Sequence, residues 1–548
     1  RKEMIIHSRA GAVGDVYILA GGRTGRDGIH GVTFASRDLD TGSVDDIGAV
    51  QLGDPITKEP LMHLCLELNE MKLLTGMKDL GGGGLSCVVG ELALDGGFGA
   101  RVNLEKVPLK VENMAPWEIW VSESQERMMF TVKPEDVDRV LARCEAWDVE
   151  AVPIGEVITE KRNIVRFNGV EILNLDLEFT TGGPVYNRPY NLPDYDTGPA
   201  APLPEYPADL GKTILDLVSQ PEVASKDWVI RQYDHEVRGK TALKPIQGPI
   251  GKDVPGDSSV LKPVDDSWKG LALTTDVNPY LMEANPYHGT RSAVEEVCRN
   301  LAAVGARIDS LADCLCFGNP RKPDNMGQFR ASCEALKDAA MAVDVPYVSG
   351  NVSLYNETAD GAIPPTPVLM GVGLVKDIRN CTTSDMKRDG SIWLIGKTKE
   401  EMGASLYYRS IGKDCPNIPK TDFDSFIPRM EQLIQAIEQG EVVACHDIST
   451  GGIATAVIEM CMSGVGANIG LGKNMRADVE LFSESNGRWI VQVANGKEKG
   501  FARRFDYASK IGEVGNKIAF SKGNDVIVEL EIDELRNAWT RPVWDRLA

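Results

Sequence analysis

The side chains best suited to holding a phosphate or a hard metal ion lie in two short stretches. The first is Asp313-Cys314-Leu315-Cys316-Phe317-Gly318-Asn319-Pro320, and the second is Ser349-Gly350-Asn351-Val352-Ser353-Leu354-Tyr355-Asn356-Glu357. Each reads as an apolar run that breaks into a Gly-Asn turn. Glycine removes the Cβ barrier to close approach, and free N–H groups in such a turn form an anion-binding nest. An Asp and an Asn at these turns offer the oxygen ligands that Mg²⁺ takes and shares with phosphates. No lysine of Walker type accompanies them, so the expected nucleotide site falls outside the common phosphate-loop class.

A third stretch, Asp79-Leu80-Gly81-Gly82-Gly83-Gly84-Leu85, is followed by Val88, Val89 and Leu92 at helical spacing. Asp79 therefore precedes a tight glycine turn that feeds a helix N-terminus, where N–H groups favour anions. A single copy reads as a helix cap. A second copy, Asp447-Ile448-Ser449-Thr450-Gly451-Gly452-Ile453, comes 368 residues later, with Ala456, Val457 and Met460 at the same spacings and Glu459 matching Glu91. Ser122-Glu123-Ser124-Gln125-Glu126-Arg127 likewise returns as Ser483-Glu484-Ser485-Asn486-Gly487-Arg488, and Gly14-Asp15-Val16-Tyr17-Ile18-Leu19 as Gly390-Ser391-Ile392-Trp393-Leu394-Ile395. Three ordered matches at nearly constant offset mark a tandem duplication of a whole domain.

The elements that must position these residues can be sketched from their patterns. Asp15–Ala20 reads as a buried strand entering a glycine-rich turn whose Arg23 and Arg26 can face an anion. Pro60 is expected to open a helix carrying Leu61, Leu64, Cys65 and Leu68. Arg188–Pro207 is a proline-rich connector. Beyond it, Thr274-Thr275-Asp276-Val277-Asn278-Pro279 follows an apolar run, and Ala293, Val294, Val297, Leu301 and Val304 mark a helix ending near Gly305. Calling the repeated domain B and the unique block A, the order is B–A–B: residues 1–187, 188–377 with the connector, and 378–548. A duplicated A–B unit predicts a further A-type domain before Arg1.

Bulk properties set the frame. A chain of 548 residues is too long for one core. Its net charge of −21 argues against general binding to nucleic acid or anionic membrane. No apolar run reaches membrane-spanning length. The 11 cysteines contain no C-x-x-C pair, which fits reduced thiols and a cytoplasmic location.

Seven motifs, Gly21–Gly31, Gln51–Pro55, Asp79–Leu85, Ser122–Arg127, Asp313–Pro320, Ser349–Glu357 and His446–Ile453, resemble phosphoribosylformylglycinamidine synthase, specifically the synthetase subunit of its small, multi-subunit form. The resemblance implies an α/β (α+β) fold of tandem aminoimidazole-ribonucleotide-synthetase-like domains, with mixed sheets flanked by helices. It implies the fourth step of purine synthesis. ATP phosphorylates the amide oxygen of formylglycinamide ribonucleotide, and ammonia from glutamine then displaces the phosphate. Gln51, Glu123, Ser124, Gln125 and Ser353 would bind that ribonucleotide, Asp313 and Gly350 would contact ATP, and Asp79 and Asn351 would hold Mg²⁺. The family's catalytic histidines belong to the first A domain, and a structural role is expected for His446. A glutaminase subunit and a small bridging subunit are the implied partners, since no cysteine here sits on a nucleophile elbow. Cys314 and Cys316 replace the family's usual asparagines, and the second B copy departs at Ser449-Thr450 and Asn486-Gly487, so its site is expected to be structural. The rival readings are a catalytically silent scaffold, or another ATP-dependent synthetase of the superfamily; the B–A–B order counts against the latter.

Overall fold

The structure, a computed structural model, describes residues 4–29, 51, 53–183, 185–196, 198–236 and 238–547. His30, Gly31 and Leu52 of the motifs above lie outside the described residues. The chain divides into two compact units, Arg1–Asn187 and Arg188–Ala548.

The first unit is built on a seven-stranded sheet of β1 (Val16–Gly21), β2 (Gly76–Asp79), β3 (Gly99–Asn103), β4 (Arg127–Val132), β5 (Ala151–Ile158), β6 (Arg162–Phe167) and β7 (Val170–Asp176), in the order β2-β4-β1-β5-β3-β6-β7. β1 is buried on both faces, and its two-residue period deals side chains alternately to two cores. Ile18 and Ala20 meet Leu61, Leu64 and Leu68 of helix α1 (Pro55–Glu70). Tyr17 and Leu19 meet Leu85, Val88, Val89 and Leu92 of helix α2 (Leu85–Gly96). The helix expected to open at Pro60 starts five residues earlier, at Pro55, with Pro60 inside it. The carbonyl that Pro60 leaves without an N–H belongs to Ile56, in an exposed first turn where water can satisfy it.

The second unit holds two large sheets and two short ladders. Its first sheet contains β8 (Thr241–Leu243), β11 (Ser259–Leu261), β12 (Gly270–Asp276), β13 (Arg307–Cys316), β14 (Tyr347–Ser353) and β17 (Thr366–Val375), in the order β14-β13-β17-β12-β11-β8. The ladders pair β9 (Ile246–Gln247) with β10 (Val254–Pro255), and β15 (Glu357–Thr358) with β16 (Gly361–Ala362). Helix α3 (Pro286–Ala303) packs on the first sheet, and helix α4 (Pro323–Val343) packs along α3. The other sheet comprises β18 (Ser391–Ile395), β19 (Val442–Asp447), β20 (Gly466–Leu471), β21 (Trp489–Val493), β22 (Ala508–Gly515), β23 (Ile518–Lys522) and β24 (Asp525–Leu530), ordered β19-β21-β18-β22-β20-β23-β24. This reproduces the first unit's order strand for strand, including the parallel pairs β3–β6 and β20–β23. Helix α5 (Phe423–Glu438) repeats the 16-residue length of α1 and keeps a proline, Pro428, at the same internal position, while α6 (Gly452–Cys461) takes the place of α2. Trp393 and Ile395 of β18 join α5 and α3 in one core, and Ile392 and Leu394 join α6 in another.

Candidate functional site

In the first unit the loop Ser122–Arg127 is held from beneath by a buried arginine. Arg127 donates from Nε to Ser124 O (2.7 Å), from Nη2 to Ser122 O (2.6 Å) and from Nη1 to Thr24 Oγ1 (2.9 Å). Burial pulls its pKa down to about 10. Above it, the Glu123 carboxylate accepts from Gln51 Nε2 (2.6 Å) and from the Gly83 N–H (2.9 Å). Gln125 donates to the Glu123 carbonyl at 2.8 Å, and Ser124 Oγ accepts from the Gly25 N–H at 2.9 Å. Gln51, Glu123, Ser124 and Gln125 are therefore brought together. Asp79 ends β2 opposite Met128, the residue after Arg127, and is exposed. A groove of about 360 Å³ runs past Asp79, Gln125, Leu61 and Met62. Gly84 must be glycine: its φ is +54°, and a Cβ there would lie 1.9 Å from Ser122 O.

In the second unit β13 and β14 run parallel, placing Asp313 beside Gly350, Cys314 beside Asn351 and Cys316 beside Ser353. The Gly-Asn turn expected at Gly350-Asn351 is absent. β14 continues through both residues because the ladder to β13 pairs their backbone groups, so they form no nest. The first stretch does bend at Gly318, after β13 ends at Cys316. Gly350 matters for another reason: a Cβ there would stand 3.0 Å from both Asp313 carboxylate oxygens, so the glycine keeps a recess open beside that acid. Burial raises the Asp313 pKa. Asn351 donates from Nδ2 to Cys314 Sγ at 3.5 Å, leaving Oδ1 as its donor to a cation. With the Asp79 carboxylate, the oxygen donors that Mg²⁺ takes are present in both units.

The second copy repeats the arginine-held loop almost atom for atom. Arg488 donates to Ser485 O (2.7 Å), Ser483 O (2.6 Å) and Thr398 Oγ1 (2.9 Å), and Glu484 accepts from the Gly451 N–H at 2.8 Å. Asp447 lies opposite Trp489, the residue after Arg488. Its surroundings are different. Asp447 is buried and accepts from Arg299 Nε at 3.0 Å, and Arg299 also pairs with Glu295 and Glu296. Beside it, His446 is held by Asp257 on Nδ1 (2.6 Å) and Glu459 on Nε2 (3.0 Å). Burial opposes the imidazolium, yet these two carboxylates keep the His446 pKa well above its ordinary value. Among the described residues Asp257, His446 and Asp447 are the one group of such side chains close enough to share a metal. The ring nitrogens are already committed to acids, which fits a buried ion network. Sequence reasoning missed Arg299 and Asp257, because their partners lie 148 and 189 residues away. The repeated Arg after each Ser-Glu-Ser run was a usable signal for the two buried arginines.

These paired domains define the class. Residues 12–168 and 390–521 match the family "AIR synthase related protein, C-terminal domain", and residues 255–375 match its N-terminal domain. The chain is 37% identical over 546 residues to phosphoribosylformylglycinamidine synthase subunit PurL of Thermoplasma acidophilum, covering 98% of this chain and 71% of that one. It is 41% identical to the same subunit of Methanothermobacter marburgensis, covering 98% and 74%. Among solved structures, Thermotoga maritima PurL complexed with FGAR matches with a TM-score of 0.69 at 26% identity, over 94% of this chain and 74% of that one. The chain belongs to the phosphoribosylformylglycinamidine synthase subunit PurL family. No helix among the described residues is long and apolar enough to cross a membrane.

Proposed function

We propose that the chain serves the ATP-dependent conversion of formylglycinamide ribonucleotide to formylglycinamidine ribonucleotide, a C–N ligase reaction. In this reading residues 1–187 are the first C-terminal-type domain, 188–377 the connector and N-terminal-type domain, and 378–548 the second C-terminal-type domain. Gln51, Glu123, Ser124, Gln125 and Ser353 bind the ribonucleotide, Asp313 and Gly350 contact ATP, and Asp79 and Asn351 hold Mg²⁺, which would neutralise phosphate charge. Phosphoryl transfer to an amide oxygen needs positioning more than a reactive side chain, and these residues position. Ammonia would reach the site from a glutaminase subunit through a small bridging subunit, in the cytoplasm.

The observation that supports the nucleotide assignment is the pairing of Asp313 with Gly350 on adjacent parallel strands, where only a glycine leaves the carboxylate uncrowded; Asn351 and Ser353 alternate to the other face of β14. Asp313→Ala in the complete protein is expected to weaken ATP binding about tenfold or more, at an unchanged melting temperature. Calorimetry returning wild-type ATP affinity would remove Asp313 from the site.

A further inference from the structure

The second copy's cleft takes the place of the first copy's groove but is lined differently: Phe426 stands where the first copy has Lys58, and further cations enter from other positions. It encloses about 250 Å³, and Lys397, Lys399, Lys420 and Arg429 all line it, with Asn486 and Tyr507. The residues at equivalent positions show how this arises. The Lys399 N–H meets Ser485 Oγ at 3.1 Å as the Gly25 N–H meets Ser124 Oγ, so a lysine stands where the first copy has glycine. Gly487, with φ +71°, replaces Glu126, with φ +60°, which removes an acid. Arg429 follows Pro428 of α5 as Leu61 follows Pro60 of α1, so a guanidinium replaces an apolar side chain.

We propose that this cleft binds a small phosphorylated anion, recognised through a dianionic phosphate group. Four cations converge in a chain whose net charge is −21, so the concentration of positive charge is local. Their ion pairing inside the protein is loose: Lys399 lies 3.5 Å from Glu401 and Lys420 lies 4.0 Å from Asp196. Lys397 rests over the Tyr507 ring at 3.8 Å. Arg429 is fixed by donating to Gly487 O at 2.9 Å, and Asn486 by donating to Ser292 and Thr421 at 2.8 and 2.9 Å. Two acids share the wall. Asp422 caps α5, and Glu295 is already paired with the buried Arg299, so the positive charge of the four cations prevails. The volume is below the roughly 300–1,000 Å³ of pockets for drug-sized ligands, which suits inorganic phosphate or a sugar phosphate. None of its lining residues is among those assigned above to the ribonucleotide, ATP or Mg²⁺, so the proposal stands apart from that reading.

The test is calorimetric titration of the complete protein with inorganic phosphate and, separately, with ribose 5-phosphate. One saturable site is expected, weakened about tenfold or more by the paired exposed-lysine variant Lys399→Ala/Lys420→Ala, since each lysine lost removes a charge-assisted contact. Equal loss for both ligands identifies the phosphate alone as the recognised group; tighter binding of the ester adds a sugar contact. An anomalous peak from soaked tungstate between Lys399 and Arg429 would locate the site. Binding that survives the paired variant, or no saturable binding of either ligand, overturns the proposal.

Discussion

Asp79 and Asp447 occupy the same ladder position in two sheets of identical strand order, yet one faces solvent and the other is sealed against Arg299. The frames around them agree closely: arginine-held Ser-Glu-Ser loops, a glutamate on a glycine N–H, and a proline inside the flanking helix. What differs is what covers them. The outer side of α1 leaves Ile56, Met62 and Leu66 exposed, whereas α5 shares a core with α3. Backbone hydrogen bonds and sterics preserve a frame, and the side chains facing outward decide whether it is a site or a brace.

The comparison breaks most readily at its glycines. Gly84→Ala and Gly452→Ala each put a Cβ on a positive-φ residue and against a carbonyl oxygen, at 1.9 Å from Ser122 O and 2.5 Å from Leu481 O. Strain and overpacking together should cost about 3–5 kcal/mol in either copy. Denaturant unfolding that registers only one of them would mean the two turns are not equivalent.

Next come the aspartates. Asp79→Asn in the complete protein, assayed with ammonia, should lower turnover roughly 100-fold at unchanged melting temperature, because it removes a charged oxygen donor to a metal. Asp447→Asn removes a partner of Arg299 and should cost about 2–3 kcal/mol of stability with turnover per folded molecule kept. Matching losses of turnover at matching stability would erase the division between site and brace.

The smallest expected effect is a pH slope. Burial pushes Glu484 up to about 7 from an ordinary 4.5, while it accepts from the Gly451 and Leu406 N–H groups. Between those values the folded state binds more protons than the unfolded one, so stability falls as pH rises from about 5 to 7. Glu484→Gln should flatten that part of a melting-temperature profile; an unaltered slope would assign it to other groups.

Much of this was legible in residue order. The 368-residue recurrence of Asp-Ile/Leu and paired glycines located both turns, and the spacing of Leu85, Val88, Val89 and Leu92 found α2. The strand through Gly350 and Asn351 was not, because a glycine beside an asparagine reads locally as a turn and only the neighbouring β13 makes it a strand. Likewise no local pattern joins Arg299 to Asp447, or Lys399 to Arg429 across a cleft. Those depend on tertiary packing, which sequence spacing does not encode.

The matching strand orders also bear on synthesis. Two sheets with one pairing scheme in one chain invite a strand of one copy to enter the other's ladder, and loop-closure entropy discourages that only weakly as the separation grows. Time separates them instead. β7 ends at Asp176 and β18 begins at Ser391, so at translation rates of about 5–20 residues per second the first sheet has roughly ten to forty seconds to close before its double exists.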